Sequence, residues 1–344
     1  MNNANHQTNG VSSPTEVDPV LDRLRSKFQS ADVKLICPPQ LLGGGFWAEN
    51  WLLRFAPDSQ ASLPSRLVLR IAPDSQMATW ENTIQAGVAS LGFPTPSIYA
   101  ADSARHGYRA WCVMDFADGH PLLAGMKGVR MFATLPWRAK NMSDTLAKAA
   151  ADLHRLDIAT IENDLDKLSF QPIATEGLID EYLSRVRELP DRSLQLALEA
   201  LAANRPEVRN RVICHGDLHP FNVLVRNSTF SVIDWTSARI ADPAFDLAFS
   251  YLLLANPPLD VPGVLRPVVR WIGRRLANRF VASYVKLGTS HIDTRTLEWY
   301  ISLQAFRILF DLASWRANDL DEARRNHPWF IIEPALHNLV VRTP

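Results

Sequence analysis

The chain has 344 residues, 47% of them hydrophobic, and its 36 Lys plus Arg balance 36 Asp plus Glu, so the formal net charge is zero. That length and apolar content support two lobes with sizeable cores, and the neutral balance gives no global case for nucleic acid or an anionic membrane as partner. The three cysteines, Cys37, Cys112 and Cys214, are odd in number, widely separated and without metal-type pairing, which favours a reduced, cytoplasmic setting.

Residues 1 to 17 are polar and lack both a basic start and an apolar core, so they are expected to form a disordered lead rather than a signal peptide. Leu42-Gly43-Gly44-Gly45-Phe46 then precedes the strand-like Trp51 to Phe55. A glycine turn of this kind lets backbone approach phosphates with no Cβ in the way, although three glycines fit an ordinary hairpin equally well. Leu67-Val68-Leu69-Arg70-Ile71 reads as a strand with one charge embedded among apolar residues, and such a charge needs a partner or a ligand. The helical segment Ser75 to Leu91 carries Glu81 as its only acid, which makes Glu81 a natural partner for Arg70 or else a solvated surface charge. Ala110 to Phe116 has the pattern of a buried strand and ends in the polar turn Ala117-Asp118-Gly119.

Helical periodicity dominates beyond that point, over Ser143 to Leu156, Glu176 to Leu189, Ser193 to Ala203, Phe245 to Leu254, Val264 to Leu287 and Thr294 to Ala317. Interrupting the helices, Val212-Ile213-Cys214 leads into His215-Gly216-Asp217-Leu218-His219-Pro220-Phe221-Asn222. Two short strands follow, Asn222 to Val225 and Phe230 to Ile233, joined by a turn at Arg226-Asn227-Ser228. A hairpin there brings Asp234 back beside Asn222. Asp217 can accept a proton from a hydroxyl, and Asn222 with Asp234 offers the hard oxygen ligands that Mg²⁺ prefers. Taken singly, Asp217 and Asn222 also suit turn capping. No apolar stretch is long enough to span a bilayer.

His215 to Asn222 (HGDLHPFN), Ile233-Asp234-Trp235 and Asp242-Pro243-Ala244-Phe245-Asp246-Leu247-Ala248 together resemble the aminoglycoside phosphotransferase and choline kinase-like family. The resemblance implies an α+β, bilobal protein-kinase-like fold, with a small N-terminal antiparallel β lobe holding one main helix and a larger, mostly helical C-terminal lobe. Residues 1–30 would be the lead and a short helix, 31–117 the nucleotide-binding lobe, and 118–344 the helical lobe with the catalytic loop and acceptor pocket. It further implies ATP and Mg²⁺, with transfer of the γ-phosphate to a hydroxyl on a small molecule. Asp217 would be the catalytic base, and Asn222 and Asp234 the metal ligands. Gly43, Gly44, Gly45, Arg70 and Glu81 would serve the nucleotide phosphates, and Met114 and Phe116 would line the adenine at an interlobe hinge. His215 and Asp246 are expected to buttress the loop. The chain departs from the protein-kinase pattern at Arg70, where lysine is usual, and this leaves open a nucleotide-binding scaffold that transfers nothing. A protein kinase is disfavoured because no recognisable A-P-E segment or activation loop follows Asp234, and Asp242-Pro243 arrives almost at once, leaving little room for a peptide platform.

Acceptor identity is the least legible part. Residues 257 to 344 hold eight acids against twelve Lys plus Arg, which argues mildly against a polycationic aminoglycoside. Asp319, Asp321 and Glu322 form an acidic cluster that fits either a pocket or a solvated helix start. Arg266, Arg270, Arg274, Arg275 and Arg279 are expected on a solvated face opposite a core stripe.

Overall fold

A computed structural model of the chain describes residues 14–30, 32–43, 48–56, 63–103, 108–123, 130–168, 175–208, 210–288, 292–318 and 327–340. The chain divides into two compact units, one comprising residues 1–82 and 97–116, the other residues 83–96 and 117–344.

The first unit is built on a five-stranded antiparallel sheet: β1 (Gln40–Leu42), β2 (Glu49–Arg54), β3 (Arg66–Ala72), β4 (Ile98–Asp102) and β5 (Ala110–Asp115), in the spatial order β1-β2-β3-β5-β4. Because side chains alternate across a strand, Leu67, Leu69 and Ile71 of β3 enter one core with Trp51, Leu53, Trp111 and Val113. Val20 and Leu24 of helix α1 (Val17–Phe28), four residues apart and hence on one face, close the same core. Helix α1 is therefore part of this unit, although the sequence places it in the lead. It is fastened by Glu16, whose buried carboxylate accepts from the Arg109 backbone N–H (3.1 Å) and Nε (3.2 Å). Burial pushes the Glu16 carboxyl up, but the Arg109 bonds outweigh it and hold the group below its usual range. On β3, Arg70 sits opposite Asn50 of β2 and Cys112 of β5. Helix α2 (Ser75–Ser90) begins in this unit.

The second unit contains helices α3 (Arg130–Leu153), α4 (Ala159–Asp166), α5 (Thr175–Arg185), α6 (Arg192–Ala203), α7 (Ala244–Ala255), α8 (Arg266–Lys286), α9 (Thr294–Ala317) and α10 (Trp329–Val340). Two small sheets are set among them. Strand β6 (His120–Pro121) pairs with β8 (Val223–Arg226), which pairs with β9 (Thr229–Val232), and β7 (Val212–Cys214) pairs with β10 (Arg239–Ala241), all antiparallel. The core centres on α7, where ten of 12 residues are buried, packed against α9. Helix α8 presents Gly273, Ala277, Phe280 and Tyr284 inward, a stripe at helical spacing. A Cβ on Gly273 would lie 2.3 Å from the Leu254 carbonyl, so only glycine lets α7 and α8 approach this closely. Arg266, Arg270, Arg274 and Arg275 lie on the exposed face, as the periodicity implies.

Three helices differ from the sequence reading. Helix α3 begins at Arg130 rather than Ser143, and neither the short α4 nor α10 had a sequence counterpart; α3 and α10 each accommodate a proline, Pro136 and Pro334, that reads as a helix breaker. Among the described residues, no helix is long and apolar enough to cross a membrane.

Candidate active site

The loop from His215 to Asn222 is suspended between β7 and the β8–β9 hairpin, and its shape is set mainly by one buried carboxylate. Asp246, fully buried in the first turn of α7, accepts from the backbone N–H of His215 (2.7 Å, Oδ2) and of Gly216 (2.6 Å, Oδ1). His154, at the end of α3, meets the same carboxylate through Nε2 (3.2 Å) and shares a second hydrogen bond with the Tyr284 hydroxyl (2.8 Å). Burial raises the Asp246 pKa, but the His154 hydrogen bond and the loop amides reverse that, so the group stays ionised. The buttressing expected of Asp246 is what these bonds provide. Cys214 lies near His154 and Asp246 in a buried group of metal-ligand type. Burial pushes its thiol far up, its Sγ faces the Asp242 carbonyl at 3.5 Å, and both His154 nitrogens and the Asp246 carboxylate are engaged in the hydrogen bonds just described, so the group is packed as a polar core.

Gly216 follows with φ of +77°, and a Cβ there would fall 2.1 Å from the Ser237 carbonyl, so the turn requires glycine twice over. His215 is buried, accepts the Asp217 N–H at Nδ1 (3.3 Å) and donates from Nε2 to the Ile233 carbonyl (3.0 Å). Burial lowers its pKa, consistent with this neutral tautomer, and its ring lies 4.8 Å from that of Trp235. It ties the loop to the end of the hairpin, as expected of a buttress.

The functional atoms emerge at the end of the loop. The Asn222 amide donates from Nδ2 both to the Asp217 carbonyl (3.0 Å) and to Asp217 Oδ2 (3.0 Å), which orients the carboxylate. The other Asp217 oxygen lies 3.6 Å from His219 Nε2, while His219 Nδ1 accepts the Phe221 N–H (3.2 Å). Ser250, one turn along α7 from Asp246, donates to the Leu218 carbonyl (2.6 Å). The hairpin register Val223↔Val232 continues as a bond from the Ile233 N–H to the Asn222 carbonyl (3.0 Å), so Asp234 lies one residue from Asn222's strand partner. Asp234 has φ of +67°, an unusual backbone for a non-glycine residue and one that tends to mark functional positions. Its Oδ1 accepts from Thr236 Oγ1 (2.7 Å). The Asn222 nitrogen is committed to Asp217, so it is the amide oxygen that could join the Asp234 carboxylate on a metal, and that donor pair fits a hard divalent cation such as Mg²⁺.

Sequence reasoning missed how the hairpin is anchored. Val232 N–H donates to the Pro94 carbonyl (2.8 Å), Thr95 Oγ1 donates to the Val232 carbonyl (2.9 Å), and the fully buried Trp235 donates from Nε1 to Thr95 Oγ1 (2.8 Å). No spacing rule links positions so far apart. His154 and Tyr284 were missed likewise, each being a single polar residue on an apolar helical stripe.

In the first unit, Arg70 and Glu81 meet as a buried ion pair, Nε to Oε1 at 3.0 Å and Nη2 to Oε2 at 3.4 Å, with Asn50 Oδ1 3.4 Å from Nη1. Gly43 is described, whereas Gly44 and Gly45 lie outside the described residues, as do Asp319, Asp321 and Glu322. Met114 is buried on β5, opposite Val68, and Phe116 packs under the Arg66 guanidinium at 4.6 Å. Asp115 between them accepts from Tyr99 (2.8 Å) and from the Ser97 N–H (3.1 Å).

Residues 40–287 match the model of the phosphotransferase enzyme family. The chain belongs to that family. Among phosphotransferases of known assignment, it is similar to aminoglycoside 3'-phosphotransferases of Streptomyces ribosidificus (33% identical over 171 residues) and Streptomyces fradiae (28% over 225 residues). These matches cover 47% and 62% of this chain, and 59% and 74% of the relatives, so the first spans under two thirds of that protein's length. Among solved structures, a thermostable mutant of aminoglycoside phosphotransferase APH(4)-Ia with ADP and hygromycin B superposes with a TM-score of 0.59 at 18% identity, covering 93% of this chain and 98% of that one. That likeness shows the fold, the protein-kinase-like α+β type expected from the motif.

The two loop histidines give this family member opposing pH responses. Burial pushes His219 down, but the carboxylates of Asp217 and Asp234 outweigh it and raise its pKa above 6.5. Its contribution to stability is therefore present below that value and lost as pH rises through the higher folded-state pKa. In His219→Gln the deficit in Tm should be larger at about pH 6 than at about pH 8. His215, depressed by burial, has the opposite sign, and stability is lost as pH falls from 6.5, so the deficit in His215→Gln should shrink in acid. Deficits that do not vary with pH would contradict both assignments.

Proposed function

We propose that the chain is an ATP- and Mg²⁺-dependent phosphotransferase that moves the γ-phosphate to a hydroxyl of a small molecule. The observation that carries this reading is the Asp217 carboxylate, oriented by Asn222 on one oxygen and approached by His219 on the other, one hairpin away from Asp234. The acceptor oxygen forms its bond to the γ-phosphorus as the bond to the β,γ-bridging oxygen breaks. The electron pair leaves with ADP, and the hydroxyl proton passes to Asp217. In a loose transition state the base mainly orients the hydroxyl and accepts its proton late, so an ordinary carboxylate suffices. Asn222 and Asp234 would hold Mg²⁺, which neutralises charge on the phosphates when bound. In the first unit, Arg70 is proposed as the phosphate-contacting cation, fixed by Glu81, and its fork suits phosphate bidentately. Gly43, Gly44 and Gly45 are proposed to cover the phosphates, and Met114 and Phe116 to line the base. The named relatives act on aminoglycosides, which supports a small hydroxylated acceptor without specifying it.

The test is ADP release from MgATP, alone and with hydroxylated compounds. Asp234→Ala should abolish the extra thermal stabilisation that Mg²⁺ adds to ATP, because that carboxylate contributes to metal affinity and not to the proton transfer. A metal-dependent shift equal to wild type would remove Asp234 from the site.

A further inference from the structure

Charged groups that the proposed transfer does not use gather where α5, β10 and α9 meet in the second unit. Tyr182 of α5 sets its buried ring against Phe306 and Phe310 of α9, with ring centres 5.5 and 5.0 Å apart. Arg307 and Asp311, one position further along α9 in each case, are four residues apart and share a face of that helix. Burial raises the Tyr182 pKa, and the charges of Arg307, Asp311 and Arg239 all act on it, with the Arg307 guanidinium in hydrogen-bonding reach, so the three charged groups surround one hydroxyl. Arg239 on β10 and Arg307 each place the guanidinium carbon 5.0 Å from the centre of the Phe245 ring, so the two carbons are at most twice that distance apart.

The cluster is poorly satisfied for its enclosure. Arg239 donates from Nε to the Ser237 carbonyl (3.3 Å), Arg307 donates from Nη1 to Gln304 Oε1 (2.6 Å), and the buried Arg307 Nε has no acceptor. Among the described residues, Asp311 makes no hydrogen bond or ion pair, and neither arginine has a carboxylate within ion-pairing distance. Enclosure and the neighbouring charge of Arg307 bring Arg239 down to about 10, while burial lifts Asp311 to about 6 against the pull of Arg307 and Arg185. Arg185 is itself paired with Glu181 at 3.0 Å, which leaves Arg239, Arg307 and Asp311 with one positive charge in excess. Two like charges held together at partial burial are unfavourable until an anion joins them. All three side chains are partly open to solvent, so a small solute can reach them. We propose that this cluster is a binding site for one oxyanion group, the carboxylate or phosphate of a small molecule, gripped by Arg239 and Arg307 and weakened by Asp311. The site adjoins the 215–222 loop, because the Ser237 carbonyl held by Arg239 is the one against which Gly216 packs, and Arg239 pairs with Cys214 in the β7–β10 register.

The test is isothermal titration calorimetry on the full chain without nucleotide, at constant ionic strength and about pH 7.5, where Asp311 is ionised. Inorganic phosphate forms one arm, acetate the other, and sodium chloride the control. Saturable binding with a Kd of about 1 mM is expected for at least one of the two, and the arm that responds identifies the source of the oxyanion. Arg307→Gln and Arg239→Gln should each weaken it about tenfold, and Arg307→Lys less, since the charge stays while the fork is lost. Asp311→Asn should tighten it about tenfold, because the opposing charge goes and the shape stays. A gain in affinity does not arise from a damaged fold, so Asp311→Asn decides the matter even if the melting temperatures without anion show the arginine variants to be unfolded. Failure of wild type to bind either anion, an affinity equal to wild type in folded Arg307→Gln or Arg239→Gln, or no gain in Asp311→Asn would overturn the proposal. With neither nucleotide nor acceptor present, these outcomes leave the transfer reading as it stands.

Discussion

Replacing Asp217 by asparagine is expected to lower turnover about a thousandfold, within the range for removing a positioned general base, while MgATP binding changes little. The carboxylate faces the reacting hydroxyl in the proposed mechanism, and Asn222 would still find an amide oxygen to bond at the same place, so the loop keeps its shape. Single-turnover ADP formation measured beside ATP-induced thermal stabilisation separates the two effects. Wild-type turnover in Asp217→Asn would end its assignment as base. Loss of nucleotide binding in parallel with turnover would mean that it acts on the metal instead.

Asp246→Ala is expected to damage the fold before it damages the chemistry. The change leaves the His215 and Gly216 N–H groups and the His154 imidazole without their acceptor in a fully buried site. Each unsatisfied buried donor costs about 1 to 3 kcal/mol, and removing one partner of a buried charged network about 3 to 5 kcal/mol. For a chain of this size the melting temperature should fall by roughly ten degrees, which differential scanning calorimetry would read directly. Asp246→Asn should fall between, since its NH₂ must face an N–H donor on one side. A melting temperature within about a degree of wild type in the alanine variant would show that the loop holds itself.

The geometry of the 215–222 loop was legible because it is local. Asp217, Asn222 and Asp234 lie within one loop and one hairpin, so spacing alone brings the last back beside the second. Arg70 and Glu81 were legible for a different reason: one charge in an apolar strand and one acid in the next helix leave few ways to pair. What failed to show was whatever depended on packing between distant segments. His154 reaches Asp246 across 92 residues and Tyr284 across 130, and nothing in their local patterns distinguishes them from other helical residues. Through one hydroxyl Thr95 accepts from Trp235 Nε1 across 140 residues and donates to the Val232 carbonyl across 137. The helices containing Pro136 and Pro334 were shortened or overlooked because proline reads as a stop when neighbouring packing is unknown. A cavity bordered by Arg270 and Arg274 is assembled from four helices, so the sequence revealed the basic character of α8 but not the hollow beside it.

Helix α7 has consequences for how this molecule can change over time. Nearly every position on it is enclosed, and the same rod props the loop at Asp246 and Ser250 and walls the cavity at Leu252 and Asn256. A substitution on one side of it would be felt on the other, because the loop and the cavity wall share one closely packed helix. The outer flank of α8, where Arg270 and Arg274 are exposed, carries no side chain that hydrogen-bonds to the loop among the described residues.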